Sequence, residues 1–307
     1  MRRIFANLVA IFIPSREIRR RVRHKILSWK LSNLNKKKKY RQLKSEWFAR
    51  SGILLPARFK EYDLIIPMGA TCHVSWLLKA FKLRSFSMPF EWTGGAEPVN
   101  WYVDPFVQRN TRFREKIDAI CNDFKDFYNP DDFRQITDWN PGKKHHMVVN
   151  VKTKIRFMHA FPAKQSFESY MPDFIDKTKR RSERLIDAIK MSDKILFCWI
   201  HKTWDQIALM DAIVDDRDIK YAIKALKKKY PNKEFDFVFF EQDGTKKRFE
   251  FEKKSVSNCA FRIKSNHFLF DSEYETLWPF DDKFHSHIHV VSEMLDNIKL
   301  SKKIKNG

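Results

Sequence analysis

The alternation of apolar runs with helically spaced apolar residues predicts strands and helices in turn from Tyr62 onward. Leu64–Met68 is a short, continuous apolar run typical of a buried strand, and residues 74–81 carry the apolar spacing of a helix. Leu83–Trp92 is predicted to be a second extended segment, and Met147–Phe157 is predicted to be a further strand. This order favours a layered α/β domain with a central mixed sheet over an all-helical fold.

The second half of the chain repeats the alternation. The predicted elements are a strand at Lys194–Ile200, a helix at Asp216–Lys229, strands at Phe235–Phe240 and Ala260–Lys264, and a last helix near His289–Lys299. Asp243-Gly244 lies between two phenylalanine-rich segments and is the kind of dipeptide that closes a two-stranded hairpin. The sequence contains no Gly-x-Gly-x-x-Gly motif and no lysine-bearing phosphate loop, so nucleotide chemistry is not predicted.

The formal net charge of +22 is concentrated at the start of the chain. Residues 1–44 contain 15 lysine or arginine residues and one acidic residue. Apolar residues recur at helical spacing from Ile18 to Trp29, and basic residues fill the opposite side. This pattern predicts a basic amphipathic N-terminal helix on an anionic membrane surface. Docking of that helix on the protein's own body is the alternative, and nucleic acid is not the expected partner.

Two parts are therefore expected, a membrane-surface segment at residues 1–45 and one α/β domain at residues 60–300. The apolar run Ile4–Pro14 lacks a small-residue cleavage site and is shorter than the roughly 20 residues that span a bilayer. The four cysteines lie far apart, which argues against a disulfide scaffold and against a zinc ribbon. We therefore expect a reducing, cytosolic setting together with contact to an anionic membrane surface.

Cys72 is the leading candidate for chemistry. The predicted strand Leu64–Met68 runs into Gly69, and Cys72 follows where the next helix is predicted to begin. A helix N-terminus carries unpaired N–H groups and partial positive charge, which favour a thiolate over a thiol. Cys72 is therefore a candidate nucleophile, and a small residue packed beneath the sheet is the structural alternative.

Two histidines are candidate bases. His159 stands at the end of the predicted strand Met147–Phe157, where an imidazole can face a cleft, although a hydrogen-bonded histidine that caps a strand is the alternative. Asp282 and His285 form an Asp-x-x-His pair before the last predicted helix. Lipase-like hydrolases of the Gly-Asp-Ser-His type place their acid and base in this way, with Cys72 here as nucleophile. The neighbouring histidines follow no specific metal-ligand pattern, so neither a metal nor another cofactor is expected.

Four sequence elements occur together between residues 60 and 200. They are Gly69-Ala70-Thr71-Cys72, the segment Leu-Arg-Ser-Phe-Ser-Met-Pro-Phe-Glu-Trp at 83–92, His159-Ala160-Phe161-Pro162 and the basic stretch Tyr170–Ile189. Together they resemble a bacterial domain family classed as papain-like cysteine peptidases. The chain departs from the family's pattern at Glu91, where the family has aspartate, and at Ala160, where the family has an acid.

The resemblance implies a cysteine–histidine pair, with Cys72 as nucleophile and His159 as general base and later general acid. It further implies that Glu91 orients the imidazole, with a structural carboxylate beneath the cleft as the alternative. The N–H groups of Cys72 and of its preceding turn, at Gly69 and Thr71, are the implied oxyanion donors.

The apolar and basic start of the chain resembles those of bacterial enzymes that build lipopolysaccharide and capsule. The resemblance implies a cytoplasmic protein, peripheral on the inner face of the cytoplasmic membrane. Taken with the cysteine site, it implies a peptidase-like cysteine hydrolase or acyltransferase that acts on a glycan or peptide substrate in surface polysaccharide or lipopolysaccharide biosynthesis. The domain at 60–300 is then the catalytic part. A glycosyltransferase, which would need a nucleotide-sugar site such as an Asp-x-Asp metal motif, and a non-catalytic glycan-assembly protein are the alternatives.

Overall fold

The computed structural model describes residues 61–69, 73–91, 93–94, 112–125, 127–136, 145–201, 214–242, 251–265 and 298–301. All of them belong to one compact unit, which comprises residues 51–269 and 290–307. Helices and strands are mixed in this unit, and its larger sheet combines parallel and antiparallel strands. The predicted α/β class with a mixed sheet is confirmed.

The strands within the described residues form three sheets. They are β1 (Glu61–Tyr62), β2 (Leu64–Pro67), β3 (Thr93–Gly94), β4 (Phe133–Ile136), β5 (His145–Asn150), β6 (Arg156–Pro162), β7 (Lys194–His201), β8 (Glu234–Gln242), β9 (Phe251–Ser257), β10 (Ala260–Ser265) and β11 (Lys299–Leu300). The mixed sheet has the order β2-β7-β8-β10-β9, an antiparallel sheet has the order β3-β6-β5-β4, and β1 pairs with β11.

The parallel core of the mixed sheet consists of strands that are mainly apolar and are buried over most of their length. All of β2 is buried, and so are residues 195–200 of β7 and 235–241 of β8. Burial of consecutive residues means that both faces are covered, which is the usual environment of a parallel sheet. The edge strand β9 runs antiparallel to β10, and most of its described side chains are exposed. The sheet is therefore closed by a polar edge.

Four α-helices lie within the described ranges. They are α1 (His73–Ala80), α2 (Phe113–Cys121), α3 (Phe167–Met191) and α4 (Asp216–Lys229). The Asp215 side chain caps α4 by accepting a hydrogen bond from the Arg217 N–H at 2.7 Å. Three lysines in its last turn complement the helix dipole. Ser166 caps α3 in the same way, through the N–H of Ser169.

One hydrophobic cluster joins the mixed sheet to the antiparallel sheet. On the antiparallel side, the rings of Phe133, Phe157 and Phe161 surround Phe174 of α3, with centroid separations of 5.3, 5.1 and 4.5 Å. Each fully buried ring contributes about 1.5–3 kcal/mol through the area that it removes from water. Helix α3 is thereby fixed against the antiparallel sheet.

Residues 83–91, predicted to be extended, form turns and irregular backbone instead, and the strand in this region is the two-residue β3. The prediction was wrong because the apolar residues here anchor a loop. Met88 and Phe90 are buried in the shared core, and Phe90 packs 5.4 Å from Phe124 between ring centroids. Residues 88–91 are buried one after another, and burial alone does not distinguish a strand from a loop that is anchored in the core.

The single strand predicted at Met147–Phe157 is two strands, β5 and β6, joined by a tight turn. Asn150 makes that turn, because its side-chain oxygen accepts hydrogen bonds from the N–H groups of Lys152 and Thr153. Lys154 completes it with a positive φ of 60°. His159 therefore lies within the second strand of a hairpin and not at the end of the first.

The hairpin predicted at Asp243-Gly244 is also wrong. Strands β8 and β9, on either side of these residues, do not pair with each other, because β10 lies between them. The last predicted helix, His289–Lys299, is contradicted at its end, where Lys299 belongs to β11. The predicted N-terminal helix, the segment 1–45 and the dipeptide Asp243-Gly244 itself lie outside the described residues.

Candidate functional site

The junction between β2 and α1 is the centre of the candidate site. Strand β2 pairs in parallel with β7, and the Met68 N–H extends this pairing by donating to the Cys198 carbonyl at 2.9 Å. Helix α1 begins at His73, the residue after Cys72. Thr71 and Cys72 lie outside the described residues, whereas Gly69 is described. The carboxyl ends of parallel strands are where open α/β sheets bind ligands, so the junction occupies a suitable edge of the fold.

Lys116 of α2 holds the backbone that leads into this junction. Its Nζ donates to the carbonyl oxygens of Met68 at 3.0 Å and Gly69 at 3.1 Å. The amine also lies 5.8 Å from the Phe90 ring centroid and 5.3 Å from that of Trp199. The Lys116 side chain is fully buried, and this burial lowers its pKa to about 7. The carbonyl of Gly69 is thus occupied, and the proposed oxyanion role of its N–H stays a prediction.

Sequence reasoning missed Lys116, although a signal was present. Phe113, Ile117 and Ile120 form the apolar stripe of α2, and Lys116 lies on the same side of the helix. A lysine within an apolar stripe is either a snorkelling side chain or a buried amine with polar partners. Only the three-dimensional contact with the end of β2 distinguishes these alternatives.

Glu91 is bound on both oxygens. Arg84 donates from Nε to Oε1 at 2.5 Å and from Nη2 to Oε2 at 2.6 Å, so the pair is bidentate. The Glu91 side chain is fully buried, which raises the pKa of its carboxyl, while the hydrogen bonds and charge of Arg84 lower it. These contacts favour the structural alternative for Glu91 over a role in orienting the imidazole.

The loop that carries Glu91 connects the two halves of the candidate site. On one side, the Ser75 hydroxyl of α1 donates to the Glu91 carbonyl oxygen at 3.3 Å. On the other side, Thr93 of β3 pairs with Phe157 of β6, two residues before His159. The helix that begins after Cys72 and the strand that contains His159 therefore contact the same short loop.

A β-bulge marks the position of His159 in β6. His146 pairs with Phe161 and Val148 pairs with Phe157, so residues 158–160 lie opposite Met147 alone. Bulges redirect side chains and are common beside active sites. The backbone of His159 is described as strand, whereas its side chain lies outside the described part of the structure. That the His159 imidazole lies within reach of the Cys72 thiol therefore stays a prediction.

Two of the three free cysteines in the described ranges, Cys198 and Cys121, are poorly disposed to react. Cys198 is buried in β7, and burial raises the pKa of its thiol. Cys121 is half-buried at the end of α2, where burial and the nearby Asp118 carboxylate raise its pKa to about 11. Both are therefore internal references for a reactive thiol at Cys72.

Of two alternative sites, one lies outside the described residues and the other is occupied by ion pairs. Asp282 and His285 lie outside the described residues. Asp216 and Asp218 have Asp-x-Asp spacing, but their carboxylates form ion pairs, with Arg262 and Lys254 for Asp216 and with Arg114 for Asp218. No group of histidines, cysteines and carboxylates suited to a metal ion occurs within the described ranges.

Comparisons of the chain with protein-family models, with curated proteins and with solved structures found no match. The resemblance to the papain-like family therefore stays a prediction. Of the helices in the part of the chain that the structure describes, none combines the length and apolar character needed to cross a bilayer. Function has to be inferred from the geometry of the junction and its surroundings.

Proposed function

We propose that the protein is a cysteine-dependent hydrolase or acyltransferase of peptidase-like chemistry, with Cys72 as nucleophile and His159 as general base. The observation that carries this proposal is the β2–α1 junction. A parallel strand ends at Pro67, the turn backbone is held at Gly69 by a buried amine, and a helix begins directly after Cys72. This strand–turn–helix order is the one on which nucleophile elbows are built.

The proposed chemistry is transfer of an acyl group through a thioester. His159 takes the thiol proton, and the sulfur of Cys72 bonds to the acyl carbon. The bond from that carbon to the leaving nitrogen or oxygen then breaks, and the imidazolium gives its proton to the leaving group. Water or an acceptor hydroxyl or amine releases the acyl group in the second half of the reaction. Backbone N–H groups at the helix start, including that of Cys72, stabilise the oxyanion.

The proposed substrate is an acylated or amide-bearing glycan or peptide of a surface polysaccharide or lipopolysaccharide pathway, met at the inner face of the cytoplasmic membrane. The support is the basic, amphipathic pattern of residues 1–44, which suits an anionic surface. Replacing Arg19, Arg20 and Arg21 with glutamine in the full chain tests this location. The variant should sediment less with phosphatidylglycerol vesicles than wild type, and equal sedimentation would contradict a membrane role for this segment.

Thiol reactivity tests the nucleophile directly. Each cysteine of the folded protein is alkylated with iodoacetamide near neutral pH, and labelling is followed by peptide mass spectrometry. Cys72 should react at least about tenfold faster than Cys121 and Cys198, because thiols with a raised pKa hold little thiolate. Equal rates at the three sites would remove the support for a nucleophile. Exposure to p-nitrophenyl acetate should likewise acetylate Cys72 first and leave the Cys72→Ser variant unlabelled at position 72.

Two histidine variants identify the base. His159→Gln should slow Cys72 alkylation, whereas His285→Gln should leave it unchanged and serves as the matched control. The reverse result would support the lipase-like arrangement, in which Asp282 and His285 serve Cys72. If Cys72 is fast in wild type and neither variant slows it, the helix start alone activates the thiol and the cysteine–histidine pair is wrong. A thiol at Cys72 that is slow and never acetylated would leave the non-catalytic glycan-assembly protein as the better description.

A further inference from the structure

Helix α3 presents a basic stripe toward the loop at residues 84–91. Tyr170, Lys177, Arg181 and Arg184 follow each other at spacings of seven, four and three residues, so they lie within about 60° of one another around the helix. Arg184 shows where the stripe points, because its guanidinium carbon lies 5.7 Å from the centroid of the Phe86 ring in that loop. The stripe and the loop therefore form one surface.

The carboxylate of the loop, Glu91, is already neutralised. Both oxygens of Glu91 accept hydrogen bonds from Arg84, whose Nη2 also donates to the Ser87 hydroxyl at 2.5 Å. Arg181 lies near enough to this pair to interact with both charges. Burial lowers the pKa of Arg181, the Glu91 carboxylate raises it, and the positive charge of Arg84 lowers it. Arg181 is thus attracted to the Glu91 carboxylate, although Arg84 already occupies both oxygens of that carboxylate.

The surface formed by the stripe and the loop has hydrogen-bond donors on Arg84 and Arg181 that no acceptor in the described part of the chain occupies. Within the described residues, Arg181 makes no hydrogen bond or ion pair, and neither does Nη1 of Arg84. Arg84, Arg181 and Arg184 outnumber the loop carboxylate Glu91 by two positive charges, and the exposed Asp173 lies on the same side of α3, four residues before Lys177. Lys177 adds a cation at the rim, where burial and the charges of Arg181 and Arg180 lower its pKa. Cations gathered at such a cost of mutual repulsion are typical of an anion-binding site.

We propose that Arg84, Arg181 and Arg184 form a binding site for a phosphate monoester group. Guanidinium groups match phosphate oxygens in bidentate geometry, and a phosphate monoester carries about 1.5 to 2 negative charges near neutral pH. That charge balances the excess of the cluster, whereas a carboxylate ligand would balance only half of it. The phosphate belongs either to a soluble sugar phosphate or to a lipid headgroup. The two sources share this chemistry and differ in what surrounds the phosphate.

Matched charge variants of the full-length protein test the site. Arg181→Gln removes one positive charge from the stripe, and Lys179→Gln removes one from the opposite side of the same helix. Binding is measured with glucose 1-phosphate by calorimetry and with vesicles containing phosphatidic acid by sedimentation. Arg181→Gln should weaken binding at least about tenfold in one of these assays, because a charge-assisted fork is lost. Lys179→Gln should change it less than about twofold.

The possible results distinguish a soluble ligand, a lipid headgroup and the absence of a phosphate site. Loss in the sugar-phosphate assay identifies a soluble ligand, and loss in the vesicle assay alone identifies a lipid headgroup. Equal weakening by the two variants would mean that net charge and not a site is responsible, and absence of saturable binding in wild type would overturn the proposal. Arg181→Gln should melt no lower than wild type, since it removes a charge whose desolvation outweighs its attraction to Glu91. Cys72→Ser should retain full phosphate binding. Failure of the phosphate site can therefore be told apart from failure of the proposed cysteine chemistry.

Discussion

The buried amine of Lys116 makes a quantitative prediction about stability and pH. Its Nζ is fully enclosed between the end of β2 and two aromatic rings, and burial lowers its pKa to about 7 from an ordinary value of 10.5, with the Glu115 carboxylate acting in the opposite direction. The unfolded chain therefore binds this proton more tightly than the folded protein does. Between these two pKa values the unfolded state holds more protons, so the free energy of unfolding rises as pH increases.

The size of the effect follows from the same two values. A pKa difference of this size corresponds to a cost of about 5 kcal/mol at low pH, where the amine is charged in both states. Between about pH 7 and about pH 9.5, about 3 kcal/mol of that cost is relieved. The carbonyl oxygens of Met68 and Gly69 favour the charged amine, so these figures are upper bounds.

Lys116→Met tests the reasoning, because methionine keeps the length of the side chain and removes the titrating group. Urea unfolding of wild type, Lys116→Met and the exposed control Lys224→Met is measured at both pH values. Wild type should gain up to about 3 kcal/mol relative to Lys116→Met on going to the higher pH, and Lys224→Met should follow wild type. The titration of the other lysines contributes equally to wild type and Lys116→Met, so it cancels in this comparison. A stability difference that is the same at both pH values would refute a buried, titrating amine.

Three further predictions concern other buried or paired groups. Asp63→Ala should lower the free energy of unfolding by about 2 kcal/mol in urea titrations, because the carboxylate binds two N–H groups at the start of β7 and a serine hydroxyl after β11. Tyr221→Phe should cost less than about 1 kcal/mol. In an absorbance titration, it should remove a phenol whose pKa the hydrogen bond to Asp118 raises to about 12. Glu91→Gln should cost about 3 kcal/mol, because Arg84 loses its charged partner. A melting temperature equal to wild type would contradict the buried pair.

Elements with strong local signals were predicted well from the sequence. Helix α4 has its predicted bounds because an aspartate caps its start and three lysines end it. Strand β7 was predicted because residues 195–200 form the uninterrupted apolar run that is typical of a buried parallel strand. In these cases the residues that determine the element lie within it or beside it.

Elements that depend on distant partners were predicted poorly. The turn residue Asn150 was overlooked because it stands in an otherwise strand-like run, although its side chain ends β5 by bonding the next turn. The predicted pairing of β8 with β9 was wrong, because the turn residues Asp243-Gly244 indicate only a change of chain direction and not which strands lie side by side. A third strand, β10, takes the place beside β8 and buries Ala260 and Ile263 there. Strand order is a property of the whole sheet.

In the candidate site, too, local sequence indicated the residues, whereas their arrangement depends on distant parts of the chain. Cys72 and His159 were selected by local pattern, but they belong to segments attached to different sheets, so no local pattern determines their separation. The loop that carries Glu91 contacts both segments, because the Glu91 carbonyl oxygen accepts from the Ser75 hydroxyl of α1 and Thr93, just after the loop, pairs with Phe157 of β6. A buried ion pair holds a loop in one geometry where a purely apolar contact permits sliding. We expect the buried Glu91–Arg84 pair to hold this loop, and through it the two segments, so the predicted cost of removing Glu91 is structural.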